Sequence, residues 1–347
     1  MMAFMDGSRA SQMTAAMLGM AGPITVGVMT GHPQAGLLAS LGGLALSGDG
    51  KGATFREQAP GLIYAMIASS AAVFAGSAVA GRGLLTALAI PAVVAVIGLL
   101  GGISRPLARA STQFILFAII AANLAAIRID PFSGTLCFFI GAVWTAFLFI
   151  LLRPLFQAMP FAKPLEHPAP SVQTPKRSFG QLVLRWWHSL ARFTGWQYPL
   201  RIASCLLVAE AFDWSWPDHH GYWASITVAI VVHRNLRIAL PRAVQRAVGT
   251  FFGVLFISLF LLVSPSVWLV VAIVALLALL RPIFMEIHYT AYAAVMTPLV
   301  ILLLDFGHIP SLVTAMDRLA ATLVGCILAL TIGYLLWFRF FIKMDSP

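Results

Sequence analysis

Charged side chains are scarce in this sequence: they make up 10% of its 347 residues, whereas 60% are hydrophobic. A soluble domain carries about 25% charged residues, because its surface must be hydrated. With so few polar side chains, most of the surface of this chain must face lipid. A water-soluble globular fold is therefore excluded.

Strict alternation of polar and apolar residues is also missing. In hydrocarbon, each backbone N–H and C=O group needs a partner within the protein, which leaves α-helices or a closed β-barrel. A barrel requires the alternation, and the apolar runs at 60–80, 83–101, 247–263 and 267–280 show none. The predicted fold class is all-α, a polytopic transmembrane helical bundle.

Residues that usually bind metals, phosphate or cofactors form no recognisable group. The adjacent His219 and His220 point in different directions, and no further ligand set accompanies them. The glycine-rich stretch 48–52 fails as a phosphate loop because glycine, and not serine or threonine, follows its lysine. Each cysteine stands alone within an apolar run, which favours a packing role: Cys137, Cys205 and Cys326. We therefore predict no metal, no cofactor, no ATP hydrolysis and no enzymatic reaction.

The apolar stretches number about twelve and fall into two sets of six. The first set covers about 13–30, 35–47, 60–80, 83–101, 109–127 and 133–152. The second set covers about 199–213, 221–233, 245–263, 266–280, 288–304 and 314–338. We expect each stretch to form one membrane-spanning helix.

Between the two sets lies 157–194, which is rich first in proline and then in basic residues. Such a sequence cannot bury a core and is typical of a semi-rigid linker. Its Arg-Trp-Trp-His sequence at 185–188 favours a short helix on the membrane surface. The predicted domains are a first transmembrane repeat at 1–156, a cytoplasmic linker at 157–194 and a second transmembrane repeat at 195–347.

The two sets share local patterns. The sequence GLLASL at 36–41 resembles GYWASI at 221–226, and an Arg-Pro pair closes the fourth segment of each set. Six spans per repeat is an even number, so both halves enter the membrane in the same direction. The sequence therefore predicts two parallel six-helix repeats, related by a pseudo-two-fold axis along the membrane normal.

Basic residues lie almost entirely on one side of the predicted bundle. With the N-terminus in the cytoplasm, all but three of the 22 lysines and arginines are cytoplasmic, the exceptions being Arg82, Arg128 and Arg318. This bias follows the positive-inside rule. It accounts for the net charge of +10 without nucleic acid as a partner. We predict a multi-pass protein with both termini in the cytoplasm.

The second and eighth segments are short, roughly 20 Å as helices, against a hydrocarbon core of ~30 Å. Interruptions precede them at 31–33 and 216–221. Interrupted segments at matching places of two repeats are typical of a transport site. The alternative is that each is a short helix of a helical hairpin. On the first interpretation, the interruptions enclose a polar passage where the two halves meet.

Four stretches of the second half carry a family resemblance: YWASIT at 222–227, RAVQRAVGTFFG at 242–253, Thr-Pro at 297–298 and RLAATLVG at 318–325. They resemble the fusaric acid resistance protein-like (FUSC) family, which is related to the aromatic acid exporters. The resemblance covers about 199–340 and is carried by the Arg-x-x-Gly-Thr-x-x-Gly spacing. The first half does not contain that motif.

The resemblance implies a secondary transporter in the bacterial inner membrane that exports small organic acids, aromatic acids included, or related toxic compounds. Coupling to the proton gradient is expected. A similar fold in plant organic-anion channels leaves a passive channel as the alternative, and a non-transporting accessory protein as a further one. The expected partners are a small organic anion and the lipid bilayer, with a homo-oligomer or a periplasmic adaptor beyond them.

Several polar residues are candidates for the substrate path. Arg242 and Arg246 are four residues apart, hence on one helical face, and either concentrate organic anions or merely set the topology. Glu210 lies within the seventh segment, where burial would let it exchange protons near neutral pH. Otherwise it is hydrated at the outer boundary.

Arg318 begins the last segment beside Asp317, and either pairs with an acid (Asp317, Glu210 or Asp305) or binds a substrate carboxylate. The aromatic pair at 222–223 fits an interfacial belt or a cavity lining. The predicted substrate path comprises Glu210, Tyr222, Trp223, Arg242, Arg246, Thr297, Asp317 and Arg318. The GxxxG motif predicts close helix packing by Gly249, Thr250 and Gly253.

Overall fold

The computed structural model describes residues 7–47, 55–124, 130–157, 178–216, 219–235, 238–304, 306 and 312–337. Within these ranges the chain forms α-helices, short turns and no β-strand. The polar residues Asp305, Arg128 and Arg237 of the sequence predictions lie outside the described residues, as does most of the linker.

The first half contains six helices: α1 (Gly7–Met29), α2 (Pro33–Leu46), α3 (Phe55–Val79), α4 (Leu84–Leu100), α5 (Arg105–Asn123) and α6 (Pro131–Gln157). A separate helix follows, α7 (Phe179–Ala191). The second half contains α8 (Gln197–Ser215), α9 (Trp223–Val231), α10 (Ala239–Leu261), α11 (Val267–Ile287), α12 (Tyr289–Leu304) and α13 (Leu312–Leu330). A π-helical turn, Thr331–Leu335, prolongs α13. Each of the twelve predicted segments thus coincides with a helix.

Local signals explain where several helices begin. Pro33 occupies the first turn of α2, where its missing N–H is not needed. The side chains of Ser104 and Ser266 accept hydrogen bonds from the first turns of α5 and α11. These caps follow from the sequence alone.

Six of these helices are long and apolar enough to cross a bilayer: α1, α3, α6, α10, α11 and α13 with its π-helical turn. Shorter apolar helices are α2, α4 and α12. Large apolar side chains lie exposed along the long helices, such as Ile67 on α3, Phe147 on α6 and Phe252 on α10. In water these faces would be strongly unfavourable, whereas lipid matches them. The all-helical class is confirmed, and the chain is a multi-pass membrane protein.

Within each half, the helices pack in the same pairs. In the first half α2 packs on α6, α3 on α5, and α4 on α5. In the second half α9 packs on α13, α10 on α12, and α11 on α12. The halves meet where α1 packs on α11 and α4 packs on α8, with smaller contacts of α5 with α9 and of α2 with α12.

Contacts between helix ends gather the arginines at one end of the bundle. Arg9 at the start of α1 pairs with Glu286 at the end of α11, at 3.1 Å. Arg234, after α9, donates a hydrogen bond of 2.9 Å to the carbonyl of Gly98 at the end of α4. We call this the basic end and define it by Arg9, Arg201, Arg234, Arg242 and Arg281. The charge bias read from the sequence therefore corresponds to one physical end of the molecule.

The interruption at 31–33 is a tight, exposed turn between α1 and α2. Gly31 adopts a left-handed backbone (φ 75°), and the His32 N–H donates to the Gly27 carbonyl at 2.8 Å. The turn joins α1 and α2 into a helical hairpin, which is the alternative interpretation of this interruption. The position of the turn relative to the bilayer stays a prediction.

The predicted surface helix is α7, which begins with a capping box formed by Ser178 and Gln181. Trp186 donates its ring N–H to the Leu99 carbonyl at 2.9 Å, which attaches α7 to the basic end. Phe179 and Trp187 are exposed on its surface. These positions suit a helix whose aromatic side chains lie at headgroup level.

Glycines set the closest approach between α2 and α6. A Cβ at Gly141 would overlap the carbonyl oxygen of Ala39, and one at Gly42 would overlap that of Phe138. Helices in lipid associate through such packing rather than through a hydrophobic drive. These two glycines therefore determine how closely α2 and α6 pack in the first half.

We expect Gly141→Ala to destabilise the protein by about 1–3 kcal/mol, because α2 and α6 must separate. The measurement is the unfolding temperature of detergent-purified protein. Gly61→Ala on α3 is the matched control, since a Cβ there meets no atom within 4 Å. Equal unfolding temperatures for the two variants would show that the α2–α6 contact is not tightly packed.

Candidate functional site

Buried charge is confined to the second half. Among the residues that the structure describes, the buried polar side chains of α1–α6 are serines and threonines only. The second half buries six charged side chains: Arg201, Glu210, Arg246, Arg281, Asp317 and Arg318. Ionisable groups inside a membrane bundle are costly and usually mark a functional path. The candidate site therefore lies within α8–α13.

Arg246 and Arg318 form the charged interior of this site. They lie on α10 and α13, are 3% and 1% exposed, and repel each other electrostatically. The Arg246 Nε and the Arg318 Nε and Nη1 have no hydrogen-bond partner among the described residues. In the described part of the chain, no carboxylate pairs with this positive charge.

Arg318 lies on the face of Trp223, the first residue of α9, with its guanidinium carbon 3.6 Å from the ring centroid. A guanidinium over an indole ring gains about 2 kcal/mol or more when desolvated. This contact also fixes the plane of the guanidinium. The sequence prediction that Arg318 pairs with Asp317 or Glu210 is therefore wrong, because an aromatic ring takes the place of the acid.

Trp223 is fully buried, so it does not belong to an interfacial belt. Its ring stacks on Tyr222 at 5.0 Å, and its ring N–H has no acceptor among the described residues. An unpaired indole N–H in the interior costs about 1–3 kcal/mol. Trp223 therefore adds another unsatisfied donor beside the arginines.

Arg242 stands at the entrance to this interior from the basic end. Its guanidinium carbon is 4.1 Å from the ring centroid of Tyr289, the first residue of α12. Arg242 is one helical turn before Arg246 on α10, as the sequence spacing predicts. The two arginines form a series that runs inward from the basic end.

The loop after α9 shows how positive this entrance is. Burial lowers the pKa of His233, and the nearby charges of Arg242 and Arg234 lower it further. The imidazole therefore stays neutral at pH 7, and the arginines dominate the local potential. Such a potential concentrates anions at the entrance.

Glu210 is buried on α8 and accepts a hydrogen bond of 2.9 Å from the hydroxyl of Ser225 on α9. The alternative of a hydrated carboxyl at the outer boundary is therefore wrong. Ser225 was not singled out from the sequence, because a serine on a short apolar helix carries no distinctive signal. The Glu210–Ser225 contact links the first two helices of the second half.

Asp317 lies at the end of the site that is opposite the basic end. Its two carboxyl oxygens contact the Nδ1 atoms of His219 and His220, at 2.7 and 3.4 Å. These histidines belong to the connection between α8 and α9, which folds over the start of α13 and buries Gly221. In the second predicted interruption, 216–221, the described residues 219–221 form turns that contact α13 through Asp317. No group of three or more metal-ligating side chains occurs in the described part of the chain.

The GxxxG motif lies at the contact of α10 with α12. A Cβ at Gly249 would meet the side chain of Ala293, and one at Gly253 would meet the Cβ of Thr297 at 2.7 Å. The Thr297 hydroxyl donates to the Ala293 carbonyl and lies 3.5 Å from the hydroxyl of Thr250. The structure places Gly249, Thr250, Gly253 and Thr297 in helix packing beside the arginines.

Two arginines that the sequence did not distinguish stabilise contacts between helices. Arg201 on α8 donates to the carbonyls of Gly333 (2.6 Å) and His233 (3.0 Å). Arg281 on α11 contacts the hydroxyl of Ser47 at the end of α2. The sequence could not separate these residues from topology-setting arginines, because their partners are distant backbone and hydroxyl groups.

We expect Arg201→Met to lower the stability by about 1–3 kcal/mol, because two buried carbonyls lose their charged donor. The measurement is again the unfolding temperature in detergent. Arg109→Met serves as control, since Arg109 is exposed on α5. An unchanged unfolding temperature in Arg201→Met would contradict an anchoring role.

Comparisons with known proteins agree with the location of the site. The sequence model of the family described as "Fusaric acid resistance protein-like" matches residues 203–332, which include α9–α13 and residues 203–215 of α8. An uncharacterized protein of the cyanobacterium Synechocystis sp. is 26% identical over 199 residues. The match covers 53% of this chain and 26% of that relative, which is therefore much longer. No solved structure matches the chain. The resemblance predicted from the motifs is confirmed: residues 203–332 are a fusaric acid resistance protein-like region of a multi-pass membrane protein.

Proposed function

We propose that this protein is a bacterial inner-membrane secondary transporter that exports small organic acids. The observation that carries the proposal is the buried pair Arg246 and Arg318, which has no carboxylate partner among the described residues of a bundle with an apolar exterior. Positive charge inside such a bundle is retained at a large energetic cost, so it is expected to serve a negatively charged substrate. The family match, which implies a transporter-like role, supports this reading.

We propose further that the chain is a duplicated bundle of twelve spans. Helix α1 corresponds to α8, α2 to α9, and so on to α6 and α13. This correspondence maps the packing pairs of one half onto those of the other. The contact of α1 with α11 then corresponds to the contact of α8 with α4, so the two main contacts between the halves are equivalent. A pseudo-two-fold axis between the halves accounts for both facts. The domains are then 1–156 and 195–347, joined by 157–194.

The arginines of the basic end support a cytoplasmic position for that end. Both termini then lie in the cytoplasm, and Asp317 with its two histidines faces the periplasm. The direction from Arg242 through Arg246 to Arg318 becomes the direction of export. The bilayer is the immediate partner of the exposed apolar faces, and a periplasmic adaptor or a second copy would act at the outer end.

Glu210 is the proposed proton-coupling group. It is a buried carboxyl in the transporting half, and its Ser225 hydrogen bond fixes one oxygen in place. Burial disfavours the charged form of a carboxyl, so a buried carboxyl exchanges its proton closer to neutral pH than an exposed one does. Entry of a proton at Glu210 would then accompany the exit of an organic anion.

The central prediction is counterflow. Proteoliposomes loaded with unlabelled benzoate should take up external radiolabelled benzoate faster than protein-free liposomes, because a carrier exchanges substrate across the membrane. A passive anion channel, the alternative, would give ionic current without counterflow. If neither counterflow nor current exceeds the protein-free level for any acid among acetate, benzoate and salicylate, transport is not the function of the protein, and an accessory role remains.

The second prediction concerns coupling. In Glu210→Gln we expect benzoate efflux to lose its dependence on an imposed pH gradient, because the amide accepts the Ser225 hydrogen bond but cannot ionise. Folding and counterflow should be retained.

Glu286→Gln is the matched control, because Glu286 is a half-exposed carboxyl at the basic end. Its pH dependence should equal that of the unmodified protein. Normal pH-driven efflux in Glu210→Gln would remove Glu210 from the coupling mechanism.

A further inference from the structure

Four nitrogen atoms within the second half share one property: each is a buried N–H donor without an acceptor among the described residues. They are the Arg246 Nε, the Arg318 Nε and Nη1, and the Trp223 Nε1. They belong to three helices, α10, α13 and α9, that pack on one another. Guanidinium and indole N–H groups can only donate hydrogen bonds, so a ligand that satisfies these four atoms must supply acceptors.

The acidic side chains nearby are already engaged. Glu210 accepts from Ser225, and the two oxygens of Asp317 face His219 and His220. The mutual repulsion of the two arginines is therefore not relieved by a counter-ion among the described residues. A charged group buried without a partner is strongly unfavourable, so an external anion has a large gain available to it.

The donors are also held in place before any anion arrives. Arg318 is fixed over the Trp223 ring, and Trp223 is fixed in turn by Tyr222. The Thr322 hydroxyl donates to the Arg318 carbonyl one turn back, at 2.8 Å. Groups that are already ordered lose little entropy on binding, which strengthens selective recognition.

We propose that Arg246, Arg318 and Trp223 form the binding seat for the carboxylate of the exported molecule. The carboxylate oxygens accept hydrogen bonds from both guanidinium groups, and the indole N–H contributes a further donor. This inference rests on the proposed transport function and assigns the substrate class and the residues that bind it. It does not depend on the proton-coupling role of Glu210.

Neutral residues surround the seat, which favours a carboxylate with an apolar or aromatic body over a polyanion. Thr250 and Cys326 are buried nearby, and the Cys326 thiol donates to the Ala243 carbonyl at 3.5 Å. Arg246 lies about 10 Å along α10 from its start, at 1.5 Å per residue. Arg318 lies about 9 Å along α13 from the opposite end. Both residues therefore lie inside the bundle, away from its ends.

The test is equilibrium dialysis of radiolabelled benzoate against purified protein in detergent. We expect saturable binding that acetate and salicylate displace and that benzyl alcohol and benzylamine, which have no carboxylate, do not. Arg318→Met and Arg246→Met should each weaken binding at least about tenfold, the usual effect of losing a charge-assisted hydrogen bond. Arg109→Met, which removes an exposed arginine, should bind as the unmodified protein does.

Unfolding temperatures separate a binding arginine from a structural one. The buried charge of Arg318 has no counter-ion among the described residues, and its desolvation costs more than the Trp223 contact returns. Arg318→Met should therefore unfold at the same temperature as the unmodified protein or higher when no anion is present. Arg201→Met, whose arginine has two carbonyl partners, should unfold at a lower temperature. A loss of stability in Arg318→Met equal to that in Arg201→Met would show that Arg318 is structural and would overturn the proposal.

The remaining outcomes are distinct from those of the transport assay. Benzoate binding that is unaffected in both Arg246→Met and Arg318→Met would place the anion elsewhere and overturn the seat, even if counterflow is observed. Absence of binding for acetate, benzoate and salicylate would also overturn it. Arginine-dependent binding without counterflow or current would support the seat while contradicting the transport function.

Discussion

An arginine buried in an apolar helical bundle needs a partner, and the choice of partner separates the arginines of this protein into two groups. Arg201 donates to backbone carbonyls and ties α8 to the ends of α9 and α13. Arg246 and Arg318 have no such partner, and an indole ring supports only one of them. The first kind stabilises the fold, whereas the second is a buried charge that costs stability and that a bound anion would neutralise. If the proposed function is correct, stability and function are opposed within a few residues of each other.

The two halves share helix order and packing but differ in what they bury. The first half buries hydroxyl groups, and its centre is the glycine contact of α2 with α6. The second half has all six buried charged side chains of the described residues. The two halves meet where α1 and α4 contact α11 and α8. The buried charges thus lie inside the second half rather than between the halves, where the sequence placed the polar path.

The opposite end of the site has a different chemistry from the basic end. Asp317 is held by His219 and His220, directly beside Arg318 in the chain. This arrangement keeps the carboxylate away from the guanidinium, although the two residues are neighbours. Had Asp317 paired with Arg318 instead, the interior would contain one unpaired arginine, Arg246, and would attract an anion less strongly.

The sequence by itself determined the class of the protein, the number and order of its helices, the concentration of basic residues and the family resemblance. It could do so because hydropathy, helix caps and charge bias are local properties of the chain. It also identified Arg246, Arg318 and Trp223 as candidates. Only the tertiary structure decided their roles, since the Arg318–Trp223 stacking, the Asp317–histidine contacts and the exposed turn at Gly31 depend on distant residues meeting in space. Whether a buried charge has a partner is a property of packing, and no pattern along the chain records it.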